Sequence, residues 1–210
     1  MPNFTDITGL ASVASAMAAS MLLLPRVTRL AKNRQAIVTG TVFVVMLIPF
    51  DGFPLAAYMR GATGDLSITS MVLLWYALSR PWSVCGTEDL NHRHVLLALI
   101  ALAALAFYPM ALGFGEFDPY RLGYGSWQMV TALLLAALLA WLWKHHQFAL
   151  CVGFATLAWA IGWYESDNLW DYLLDPFVSI YALAAIMMNT GKFLMKLPRK
   201  KLNKPDFGRT

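Results

Sequence analysis

The sequence predicts an all-α protein, a polytopic transmembrane helical bundle of about seven spans with its N-terminus outside and its C-terminus cytoplasmic. Three observations predict it. Hydrophobic residues make up 59% of the 210 residues and charged residues 13%, against nearly half and a quarter in soluble domains, so lipid is the expected solvent for most of the chain. Runs such as VLLALIALAALAFYPMALGF and TALLLAALLAWLWK are apolar on every helical face, whereas a half-buried soluble helix keeps one polar side. Lys and Arg, finally, are shared unequally between alternate connections, as short cytoplasmic loops require.

The first candidate span runs from Ile7 to Leu24. It is only weakly apolar, but Ala11, Ser15 and Ala19 form a stripe of small residues with Ala14 and Ala18 beside it, suited to close packing inside a bundle. No basic lead precedes it, so it reads as a retained span and not as a signal peptide. Ala36 to Phe50 is the second. In DGFPLAAYMRG the apolar residues continue past Asp51 and a proline to Arg60, which predicts a short amphipathic segment in the interface or a re-entrant turn; Asp51, Asp65 or an acid from another loop is the expected partner of Arg60. Leu66 to Ser79, the third span, follows a turn supplied by Gly61 and Gly64 and has Asp65 or Ser67 as its N-cap. It is short, and if it dips without crossing, everything after it inverts. Val95 to Phe114, Ser126 to Trp143, Gln147 to Trp163 and Pro176 to Leu194 complete the set, with a tight hairpin at Lys144, His145 and His146. Residues 1–194 are thus one helical membrane domain and 195–210 a basic cytoplasmic tail.

Numbering the connections alternately tests this map. Of 16 Lys and Arg, only Arg60 and Arg121 fall outside, and the inner set runs from Arg26, Arg29, Lys32 and Arg34 through Arg80, Arg93 and Lys144 to the tail. The net charge of +4 follows largely from that tail, which fits the anionic inner leaflet better than nucleic acid. Trp141 and Trp143 are expected at the inner interface, and Trp127, Trp163 and Trp170 at the outer one. Cys85 and Cys151 have no CxxC spacing and read as free thiols.

The outer connections FDGFPLAAYMRGATGDLS, GFGEFDPYRLGYGS and WYESDNLWDYLLDP meet on one face of this bundle. They hold the candidate ligand-binding residues: Asp51, Arg60, Asp65, Glu116, Asp118, Arg121, Glu165, Asp167, Asn168, Asp171 and Asp175, among aromatics that include Tyr120, Tyr124, Tyr164 and Tyr172. If a helix capped by Ser166 or Asp167 begins in SDNLWDYLLDP, then Asn168, Asp171 and Asp175 stack on one side of it, with Leu169, Leu173 and Leu174 turned away. Carboxylates a turn apart with an amide oxygen suit a hard divalent cation. Partly desolvated and backed by Arg60 or Arg121, they suit acid and base chemistry or a polar headgroup. Acids also favour helix N-termini, and Trp and Tyr favour interfaces, whatever the function. The block of residues therefore defines a ligand face without assigning a metal or a catalytic group.

His92, His94, His145 and His146 all fall in inner connections and read as interfacial residues, since no Cys or acid spacing closes a metal site around them. No histidine lies within a span to hold a haem, and Lys192 at the inner end of the last span, without a buried counter-ion, does not fit retinal attachment. Walker, dinucleotide, HExxH, GxSxG and CxxCH patterns are absent, and no cofactor is implied. The spans lack the mid-depth acids and bases of ion-coupled pumps; Thr39, Thr41, Ser70, Thr131, Thr156 and Ser179 are the hydroxyls left to line a polar path or to bond their own helix backbone. The expectation is a multi-pass protein of the cytoplasmic (inner) membrane, in contact with membrane lipids, whose outer face binds a polar ligand, a lipid headgroup or a partner membrane protein in envelope assembly. The alternatives are an enzyme acting on a lipid-linked substrate through Asp171, Asp175 and Glu165, and a small permease.

Overall fold

Helix boundaries follow local chemistry. In the computed structural model, which describes residues 4–22, 24–79 and 89–196, Ser126 accepts the Met129 N–H and opens α7, Asn168 accepts the Trp170 N–H and opens α9, and Asp175 accepts the Val178 N–H just ahead of Pro176 in the first position of α10. Between the caps the apolar runs become helices, which make up 77% of the structure. In order, the elements are α1 (Phe4–Met21), α2 (Pro25–Thr28), α3 (Lys32–Leu47), β1 (Pro49–Phe50), β2 (Phe53–Pro54), α4 (Leu55–Thr63), α5 (Ile68–Ser79), α6 (Asp89–Ala111), a 3-10 turn (Pro119–Gly123), α7 (Trp127–Leu142), α8 (His146–Ala160), α9 (Leu169–Leu173) and α10 (Pro176–Lys196). The protein is all-α, and each of the seven apolar stretches holds one of the longer helices. Arg80, Cys85, Glu88 and the tail from residue 197 lie outside the described residues.

Among the described residues, one helix is long and apolar enough to cross a membrane by length and composition: α6, over His92–Ala111. The helices α5, α7, α8 and α10 are shorter apolar ones. Over its described length α5 has 12 residues, about 18 Å at 1.5 Å per residue, well under the roughly 30 Å of a hydrocarbon layer.

Three apolar clusters hold the elements together. Leu96, Leu97, Ile100, Ala104 and Phe107 of α6 pack on Val178 and Ala182 of α10. Val152, Ala155 and Ala158 of α8 meet Met129 of α7, Ile68 of α5 and the α9 residues Leu169, Tyr172 and Leu173. Val13 and Ala14 of α1 pack on Met46 of α3 and Ala56 of α4. The small-residue stripe of α1 is inside, as its composition predicts, with Ala14, Ser15, Ala18 and Ala19 all buried. Gln35, also buried, donates its amide to the Thr28 and Leu30 carbonyls and so ties α3 to the turn before it.

The segment after α3 combines a hairpin with a helix. Asp51 and Gly52 both take positive φ, 50° and 90°, the turn that a two-residue hairpin needs, and the amphipathic helix α4 follows directly. At the other end of the bundle Lys144, with φ 62°, reverses the chain between α7 and α8, the tight hairpin expected there.

Candidate functional site

The three connections expected to share a face do meet at one end of the bundle, together with the start of α1. Contact between them is built largely from the candidate residues themselves. Arg60, on α4, donates Nε to Asp65 Oδ1 at 2.6 Å and Nη2 to Asp65 Oδ2 at 2.9 Å, a bidentate pair. Its Nη1 reaches Asp6 Oδ1 at 3.2 Å, and Glu165 Oε1 stands 3.9 Å from Nη2. The hydrogen bond donated to Asp65 outweighs desolvation and lifts the guanidinium pKa above its already high ordinary value. The group lies flat against α1, where a Cβ on Gly9 would come within 2.5 Å of Arg60 Cζ. A side chain there would have to displace the guanidinium or Asp65 Oδ1, which stands 2.6 Å from the same position. Arg60 thus joins α1, α4 and the loop after α8; Asp51 is exposed in its hairpin turn and takes no part.

Asp175 is the most enclosed of the carboxylates, at 4% exposure. Its Oδ1 accepts the Val178 N–H at 2.8 Å, and its Oδ2 accepts the Ser67 N–H at 2.8 Å and the Ser70 hydroxyl at 2.5 Å. One carboxylate therefore serves the N-termini of both α10 and α5, where the helix dipoles favour negative charge. Ser67, not Asp65, is the N-cap of α5, its Oγ accepting the Ser70 N–H at 3.1 Å.

Asn168, Asp171 and Asp175 do not stack on one helix face. The cap of α9 is Asn168 itself, neither Ser166 nor Asp167, and α9 ends at Leu173 because Leu174 is extended (φ −139°, ψ 132°) and Pro176 disfavours helix before it. Asp175 consequently belongs to the next helix. Asn168 is fully buried, with its Nδ2 donating to the Tyr120 carbonyl at 2.9 Å and a contact on Gly123 so close that any Cβ there would overlap its side chain. Asp171 accepts from the Tyr120 phenol at 3.1 Å and from the Ser166 hydroxyl. Burial raises the Tyr120 pKa, and the Asp171 charge raises it further, so the phenol stays a donor. Trp170, half-buried, packs on Phe107 and donates Nε1 to the Pro119 carbonyl at 2.9 Å.

The loop between α8 and α9 is anchored in the same manner. Thr8 donates to the Trp163 carbonyl at 2.7 Å, Ser12 and Tyr164 share a hydrogen bond at 3.1 Å, and the Tyr172 hydroxyl accepts the Tyr164 N–H while donating to the Ser166 carbonyl. Burial pushes the Tyr164 phenol up to about 12. Glu116, Asp118, Arg121, Glu165 and Asp167 are exposed, although Asp118 also caps the 3-10 turn through the Tyr120 N–H.

The candidate residues thus separate into Arg60 with Asp6, Asp65 and Glu165; Asp171 with Tyr120 and Ser166; Asp175 with Ser67 and Ser70; and an exposed remainder. Among the described residues no group of three or more His, Cys, Asp or Glu side chains converges as a metal site would require. The hydroxyls of Thr39, Thr156 and Ser179 bond the carbonyl four residues earlier, and that of Ser70 bonds Asp175, so these four present no free polar path. Sequence reasoning overlooked Asp6, Gly9, Ser67, Ser70 and Ser166 as partners. The Asp-Pro pair at 175–176 was the available signal for a new helix start. In comparisons with known proteins, no family model, curated protein or solved structure matches the chain.

Proposed function

We propose that the chain is a multi-pass protein of the cytoplasmic membrane, crossing seven times with its N-terminus outside. Its acidic and aromatic outer end would recognise a polar ligand, a lipid headgroup or a partner protein in envelope assembly. One observation carries the membrane reading. The helices bury hydroxyls such as Ser12, Ser15, Thr39, Thr156 and Ser179 while exposing Leu102, Leu105, Leu135, Leu138, Leu157 and Ile180. That distribution is inverted for water and natural for lipid, in which a leucine faces its own kind and a hydroxyl must find a partner inside. The recognition reading is supported by the division of the acidic end: Asp65, Asp171 and Asp175 hold segments together, and Glu116, Asp118, Arg121 and Asp167 remain at the surface beside exposed Phe114, Phe117 and Tyr124.

Cysteine labelling tests the topology. In a Cys85→Ser, Cys151→Ala background, Asp167→Cys should react with an impermeant maleimide in intact cells and His94→Cys only after permeabilisation; reaction of both from one side overturns the proposal. For recognition, a photo-crosslinking side chain at Phe117 should give a discrete adduct that Glu116→Lys with Asp118→Lys abolishes. An adduct pattern indifferent to those charges would remove the outer rim as the contact surface.

A further inference from the structure

A groove of about 410 Å³ runs along α5, walled by α1, α4 and α10. Its lining extends from Leu66 to Ala77, a rise of about 16 Å at 1.5 Å per residue. Of the polar side chains along it, Ser70 bonds Asp175, Thr63 bonds the Met59 carbonyl and the Tyr181 hydroxyl meets Arg93; Tyr76 and Gln147 line it as well. Phe177 and Tyr181, about half exposed, stand at its open side.

Arg93 lines the end farthest from Met59 and Thr63. It is half-buried and donates Nη2 to the Tyr181 hydroxyl, and no carboxylate of a described residue pairs with it. A guanidinium has five N–H donors in a fork that matches phosphate oxygens, so most of the recognition capacity of Arg93 is unused. Arg60 shows the alternative, a guanidinium faced by three acids of its own chain. A largely apolar channel of that length, ending at a cation that makes no ion pair among the described residues, selects an amphiphile with an anionic head.

We propose that this groove holds one acyl chain of an anionic phospholipid with the lipid phosphate on Arg93. The inference rests on the multi-pass reading, in which Arg93 lies at the inner leaflet, where anionic lipids concentrate.

The full chain, reconstituted in nanodiscs of equal phosphatidylglycerol and phosphatidylcholine, can be released into mild detergent and its retained lipid counted by native mass spectrometry. Phosphatidylglycerol should be retained over phosphatidylcholine on the order of tenfold, the effect of one charge-assisted hydrogen bond. Arg93→Gln should erase that preference and Arg93→Lys keep most of it, and Ala77→Trp, which fills the channel, should lower retention of both lipids. Equal retention by the wild type, or an unchanged preference in Arg93→Gln with an unchanged melting temperature, overturns the proposal. Displacement of the lipid by excess free glycerol phosphate also overturns it, because the site would then belong to a soluble phosphate. Labelling of His94→Cys and Asp167→Cys in intact and then permeabilised cells separates the two layers: both on one side defeats the topology, whereas opposite sides without lipid preference defeats the groove alone.

Discussion

Arg60 and Arg93 stand at opposite ends of the bundle in opposite company. The first is clamped by Asp65, touched by Asp6, approached by Glu165 and pressed onto the backbone of α1 at Gly9. The second shares one hydrogen bond with a tyrosine. The same side chain is therefore a structural tie where its chain supplies the counter-charges and an open recognition group where it does not. The difference extends to the ends themselves. At the acidic end the bridging hydrogen bonds run largely through carboxylates and hydroxyls; at the other they run through imidazoles, His92 sharing a 2.9 Å contact with His145 and His94 reaching Asn189 at 3.4 Å.

Breaking the acidic end should be costly, and Asp175 most of all. Asp175→Ala leaves two buried N–H groups and a hydroxyl without an acceptor and uncaps α10, a loss of about 3 kcal/mol by unfolding in detergent micelles. Asp175→Asn, which retains one acceptor oxygen, should lose less. A loss below about 1 kcal/mol in the alanine variant would mean that the carboxylate is not a structural tie. Next comes Arg60→Ala, which removes the cation from among three acids and should cost about 2 kcal/mol. Gly9→Ala should cost about 1–2 kcal/mol alone and less in the Arg60→Ala background, where the guanidinium is gone and Asp65 Oδ1, 2.6 Å from the added Cβ, is released from its clamp; strictly additive losses would mean that the two positions do not share a contact.

Arg93→Gln sharpens the comparison from the other side. It should change detergent stability by about 0.5 kcal/mol or less, because no ion pair within the described chain is lost. A gentler probe of the acidic end is alkali. The unfolded chain releases a tyrosine proton near pH 10, while Tyr164 holds its proton in the fold to about 12, so its contribution to stability is intact below about pH 10 and declines as pH rises toward 12. A spectrophotometric titration of the wild type minus Tyr164→Phe should show that late phenol. The smallest effect belongs to the exposed rim: Glu116→Gln and Asp167→Asn should each shift stability by about 0.5 kcal/mol or less.

Much of the fold was legible because helix formation is local. Apolar runs placed the longer helices, Ser126 announced α7, and Lys144 with its two histidines announced the reversal after it. Asp-Gly at 51–52 carried a hairpin signal that the reading of DGFPLAAYMRG as an amphipathic or re-entrant segment passed over, and the Asp-Pro pair at 175–176, a helix start, rules out a continuous stack of Asn168, Asp171 and Asp175. The membership of the acidic end could be read from charge; its wiring could not.

By itself, the amino-acid order determined what each short segment is: helical, capped, apolar on all sides or charged, because those properties depend on neighbours within a turn or two. Only the tertiary structure decided which polar groups satisfy one another. Asp175 finds Ser67 across 108 residues, Thr8 finds Trp163 across 155, and Arg60 finds Asp6 across 54. A buried donor must be paired with some acceptor, but its choice among chemically equivalent ones is made by the packing of helices, which brings one carboxylate within 3 Å and leaves another in the open.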